Sequence, residues 1–197
     1  MNAPQFILAF APVLGISERE LRTVDRAMAD GGLREKAAGR NYPQVTRVEA
    51  IRLLLGYCAS TNLTEAAEVA ALLQGNVADL EKFNGQLPYP GGSNDEFCKA
   101  SFGFSPNDAP NLTLVEAISR TCDWLVAPAT KVDWYVGLEI STSGVPSFQA
   151  SDWENGRKAE IFFVGTRNYT GNHGVETIRV VRPFALRWIG ENTEVAA

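Results

Sequence analysis

The chain has 197 residues, 45% of them hydrophobic and 21% charged, a globular composition that excludes disordered and collagen-like classes. A net charge of −5 and a pI near 5.0 argue against a protein that coats nucleic acid over its whole surface. The charge is uneven. Residues 1–60 hold 8 Lys+Arg against 6 Asp+Glu, residues 61–130 hold 3 against 9, and residues 131–197 hold 7 against 8.

Phe6 to Leu14 is apolar, but no Lys or Arg precedes it, Pro12 interrupts it, and it falls far short of the ~20 residues of a membrane span. It reads as a buried N-terminal segment, so neither a membrane nor an export signal is expected. Ser17-Glu18-Arg19-Glu20 is a capping box: the hydroxyl accepts a free helix N–H and the glutamate reaches back. It predicts a helix with Leu21, Val24 and Met28 on its buried stripe, ended by Gly31-Gly32. Leu33 to Val45 reads as a loop. Thr46 to Glu49 is a second capping box, opening an Ala/Leu-rich helix, and Asn62 or Thr64 caps a third helix to about Leu73.

Residues 85–112 are rich in Gly, Pro, Asn and Ser and read as a linker or loop between a helical part, 1–84, and a second part, 113–197. Thr113 to Glu116 is a third capping box. After Pro128 the period becomes alternating. Trp134, Val136, Leu138 and Ile140 share one strand face, Phe148 to Trp153 is a second strand, and Lys158 to Val164 is a third. Asn155-Gly156 predicts a two-residue type I′ turn between the last two. Val175 to Val181 is a fourth strand. Pro183 breaks the ladder, and Phe184 to Ile189 reads as an edge strand or extended arm. The fold class is therefore α+β: about four helices, helix-turn-helix-like, followed by a small, mainly antiparallel sheet.

Chemistry-bearing motifs are sparse. Cys58, Cys98 and Cys122 are widely spaced and form no C-x-x-C pair, so reduced thiols are expected, with no metal site and a cytoplasmic location. No phosphate-cradling glycine motif occurs, and no cofactor is expected. His173, the single histidine, sits in a glycine-rich loop, and no catalytic residue is assigned.

Two surface patterns stand out. Arg19, Arg22 and Arg26 lie almost opposite the buried stripe of the first predicted helix, and Arg34, Lys36 and Arg40 follow in the loop. An arginine stripe, a basic loop and a second helix are the parts of a phosphate-backbone contact; the plainer reading is a solvated charged face. The second pattern is the 165–174 loop, whose Arg167, Tyr169 and His173 suit a protein contact.

Ala27-Met28-Ala29-Asp30-Gly31-Gly32-Leu33, then Gly39-Arg40-Asn41-Tyr42-Pro43, then Thr46, Glu49-Ala50 and Leu53-Leu54-Leu55 resemble a pattern in poorly characterised phage and prophage proteins of proteobacteria. The resemblance covers about residues 17–60. It implies a phage-related origin and a helix-turn-helix-like front, hence host cytoplasm or virion as the location, and it implies no activity. The resulting expectation is a non-enzymatic accessory protein that binds a macromolecule, DNA first. The alternative is a protein–protein module, a virion component or an inhibitor of a host defence complex, contacting its partner through the acidic middle, residues 61–130.

Overall fold

A computed structural model describes residues 1–37, 39, 42–80, 94–109, 111–128, 134–141, 145–165 and 177–194. Four helices precede the sheet: α1 (Ala3–Leu14), α2 (Glu18–Asp30), α3 (Arg47–Ala59) and α4 (Ala66–Gln74). The short strand β1 (Val77–Ala78) follows, then α5 (Asn94–Phe102) and α6 (Leu114–Val126). Strands β2 (Tyr135–Ser141), β3 (Ser147–Asp152), β4 (Arg157–Val164) and β5 (Ile178–Val181) come next, and α7 (Pro183–Asn192) is last. The fold is α+β, with N-terminal helices ahead of a five-stranded antiparallel sheet.

Local chemistry explains the helix starts. Ser17, Thr46 and Thr113 each accept from the backbone N–H three residues on, while Glu20, Glu49 and Glu116 reach back. A fourth box opens α1, where Asn2 accepts from the Gln5 N–H at 3.1 Å and Gln5 returns the bond at 3.3 Å. Proline in the first turn removes no intrahelical bond, and Gly15, at φ 69°, closes the helix in the left-handed conformation. Asn62 caps a 3₁₀ turn, Leu63–Glu65, which runs straight into α4.

Two readings of the last third change. Phe184 to Ile189 is not a strand: Pro183 occupies the first turn of α7, where its fixed φ suits a helix and its missing N–H costs nothing. Ala185, Leu186 and Ile189 then bury at helical spacing. Gly190 lets α7 approach α6, since a Cβ there would lie 2.7 Å from the Cys122 carbonyl oxygen. Asn155-Gly156 is not a type I′ turn either. Asp152 and Arg157 pair directly, leaving a four-residue loop, and of the two only Gly156 has positive φ, at 65°. The Asp152 carboxylate organises this loop by accepting from the Asn155 N–H at 3.1 Å and its side-chain amide at 2.9 Å, and by pairing with Arg157.

The strand order is β1-β4-β3-β2-β5. Val136, Leu138 and Ile140 of β2 and Phe148, Ile161 and Phe163 of β3 and β4 are buried on the inner face. The outer face is polar at its centre. There the Gln149 amide bonds the Glu139 and Glu160 carboxylates of its neighbours at 2.9 and 3.0 Å. One hydrophobic cluster draws on α1 to α7 and the sheet, and β1 stitches the helical part to the sheet through β4.

Two arginines fasten distant helix ends. The buried Arg47 guanidinium, on α3, donates to the Gly190 and Thr193 carbonyls at 3.1 Å each and pairs with Asp123. Arg179, on β5, donates to the Tyr57, Cys58 and Ser60 carbonyls at 2.5, 2.8 and 3.3 Å, and so caps the end of α3. In both cases a cation meets the negative end of a helix that carries no basic residue in its own last turn. Residues 44–47 also meet both remote segments of the chain. Val45 donates to the Met1 carbonyl at 2.9 Å, Arg47 N–H donates to the Glu194 carbonyl at 3.0 Å, and Asn2 and Gln44 form an isolated bridge.

Candidate functional site

Helix α2 buries Leu21, Val24 and Met28 and presents Arg19, Arg22 and Arg26 to solvent. Arg22 pairs with Glu18 one turn earlier, its Nε donating at 2.7 Å. Arg19 and Arg26 make no ion pair with any described residue. The basic loop behaves differently. Arg34 turns inward and grips Asp25, Nε to Oδ1 at 2.6 Å and Nη2 to Oδ2 at 3.1 Å, with the two side chains only 11% and 14% exposed. Burial raises the Asp25 carboxyl above its usual value, against the pull of Arg34. Arg34 is therefore a structural partner of α2, set apart from the exposed Arg19, Arg22 and Arg26. Lys36 is exposed and pairs with Asp30 at 2.9 Å. Arg40 lies outside the described residues, as do Arg167, Tyr169 and His173.

Between α2 and α4 lies a groove of about 520 Å³. Ala27, Gly31, Ala67 and Ala71 line it with small surfaces, while Arg26, Asp30, Glu65 and Glu68 supply its charges. The helices come close at one end, where a Cβ on Gly31 would lie 2.6 Å from the Ala67 Cβ. The acids are differently engaged: Asp30 pairs with Lys36, Glu65 accepts from the Asn62 amide at 2.9 Å, and Glu68 has no bonded partner among the described residues. Glu65 and Glu68 fall within the acidic middle, residues 61–130, of the sequence reading, which missed the alanine floor. Its signal was the spacing of four residues in Ala27/Gly31 and Ala67/Ala71, which puts each pair on one helix face.

No residue of α3 is exposed; Val48, Glu49, Arg52 and Tyr57 are half-buried, and Arg52 is held by the Gln74 side chain at 2.8 Å and the Leu33 carbonyl at 3.1 Å. The three cysteines are buried, and burial pushes their thiols up to about 12, which keeps them protonated and non-nucleophilic at neutral pH. Among the described residues no group of three His, Cys, Asp or Glu is placed to hold a metal ion, and no helix is long and apolar enough to cross a membrane.

Fold and groove together define an α+β protein with a charged, small-residue cleft between two surface helices. No family model, curated protein or solved structure matches the chain.

Proposed function

We propose that this is a non-enzymatic accessory protein that binds a partner protein, and that the α2–α4 groove receives a basic segment of that partner. The phage-type resemblance of residues 17–60 supplies the context, a virion component or an inhibitor of a host complex. The observation that carries the reading is the groove itself. Its floor of alanine and glycine admits close approach, and beside it stand Glu65 and Glu68, without ion pairs among the described residues, against Arg26, while Asp30 is paired with Lys36. A cleft of this charge attracts lysine and arginine and repels phosphate.

A lysine-rich helical peptide, titrated at low salt and followed by fluorescence anisotropy, tests it. Wild-type protein is expected to bind, and Glu65→Lys with Glu68→Lys to abolish binding at an unchanged thermal midpoint. Peptide binding that survives the double charge reversal would remove the groove from the function.

DNA binding is the second reading, supported by Arg19 and Arg26, two exposed arginines on the face opposite the core that make no ion pair among the described residues. It predicts duplex binding whose log affinity falls with log salt by about 0.9 per phosphate contact, a slope flattened by about 1–2 in Arg22→Ala/Arg26→Ala. Absence of duplex binding at low salt sinks it.

A further inference from the structure

A second hollow, of about 330 Å³, lies where the end of α1, the end of α3, strand β5 and the start of α7 meet. Leu14 and Ile16 form part of its apolar wall, Tyr57 and Phe184 bring aromatic rings, and Arg179 and Arg182 bring charge. We propose that this hollow binds an organic anion: a carboxylate carried on an apolar body the size of a short alkyl chain or a single aromatic ring.

Three observations converge. The first is positive charge with no ion-paired carboxylate among the described residues. Arg157 and Arg187 are matched to Asp152 and Glu191, but neither Arg179 nor Arg182 meets a carboxylate among the described residues. The described bonds of Arg179 leave from one nitrogen, Nη1, to three backbone carbonyls, and its guanidinium lies 4.7 Å from the Tyr57 ring. Arg182 lies 5.3 Å from the Tyr135 ring. Glu20, whose Oε2 accepts from the Ser17 hydroxyl and N–H at 2.6 and 2.9 Å, is near enough to feel Arg179 but forms no ion pair with it. In a chain of net charge −5, two arginines facing one nearby glutamate are a local excess of cation among the described residues.

The second observation is apolar surface left open beside that charge. Phe184 is 60% exposed and Val180 38% exposed, and both line the hollow. The third is size: the volume falls at the small end of ligand pockets, roughly 300–1,000 Å³, which suits a compact molecule rather than a nucleotide. A guanidinium pairs a carboxylate in a planar fork, and the ring and methyl groups beside it would cover the ligand's body. Cys58 also lines the hollow but stays a protonated spectator.

Decanoate titrated into the full chain, followed by calorimetry at neutral pH and low salt, tests the proposal. One-to-one saturable binding is expected, with decanol, the same body without the charge, bound about tenfold more weakly. Arg182→Gln should bring decanoate down to the level of decanol, and Phe184→Ser should weaken both. Arg179 is left in place because it holds the end of α3. Should Arg182→Gln lower the thermal midpoint, Arg182→Lys keeps the charge and is expected to keep the preference for decanoate. Absence of saturable decanoate binding, equal binding of decanoate and decanol, or a preference that survives in Arg182→Gln would overturn the proposal. Glu65→Lys with Glu68→Lys should leave decanoate binding unchanged, which separates this site from the α2–α4 groove.

Discussion

Helices α2 and α3 begin alike and end up in opposite places. Each has thirteen residues, and each opens with a capping box of hydroxyl and glutamate three apart. Yet α2 keeps one apolar stripe under an arginine face, whereas α3 buries nine of its residues and fully exposes none. The boxes set where a helix starts; the composition of its faces sets whether it becomes surface or core. In this protein the consequence is a division of labour: α3 is the beam against which the other elements pack, and α2 keeps an exposed, charged face.

The sharpest way to break that comparison is to cut into α3. Leu54 is wholly buried, so Leu54→Ala should leave a cavity costing about 2–5 kcal/mol, read as a fall in thermal midpoint of roughly 10 °C. A midpoint within error of wild type would show that α3 is not the beam.

Acid tests the boxes themselves. Hydrogen bonds from Ser17 and Thr113 hold the Glu20 and Glu116 carboxyls below the usual 4.5, and Asn155 and Arg157 hold Asp152 below 3.8. A carboxyl depressed by folding stabilises above its unfolded value, and that stability is lost as pH falls through the folded value. Asp25, raised by burial, works in the opposite direction. Thermal midpoints should therefore hold down to about pH 5 and drop below pH 4.5. Glu20→Gln and Glu116→Gln, which keep a capping-box residue but remove its titration, should flatten the drop. An acid profile identical in those variants would dissociate the boxes from acid lability. The smallest effect belongs to the exposed face of α2, where Arg22→Ala breaks an open pair with Glu18 and should change stability by less than about 0.5 kcal/mol. A loss of several times that would mean the arginine face is structural.

What could be read from the sequence divides along the range of the forces involved. The three hydroxyl–glutamate boxes and the alternation of β2 to β4 are local, and they stand as read. Helix α7 was hidden because Pro183, weighed as a breaker, sits in a first turn where proline is favoured. Helix α1 was hidden because its box is Asn2 with Gln5 and prolines fall inside it. The two-residue β1 has no pattern to find; only its pairing with β4 defines it. The turn at Asn155-Gly156 was misread because the Asp152 side chain, four residues from Gly156, sets the loop. Arg34 looked free because Asp25 reaches it only once the loop folds back on α2. The α2–α4 groove belongs to the same class. Its two walls are separated by all of α3, so each alanine pair looked like ordinary helix surface until the helices met.

The clasp at residues 44–47 bears on the order of events when the chain folds. Helix α3 has strong local instructions and can form early, but the Arg47 side chain waits for partners 146 residues further on. A ribosome releases those partners long after α3 has left the exit tunnel. Until then Arg47 has neither the Gly190 nor the Thr193 carbonyl, and α7 has no cation at its negative end. Closing a loop of that span is slow in itself and has little to guide it but the collapse of the core. The contacts of Arg47 are thus completed only when residues 190–194 return to the place where α3 began.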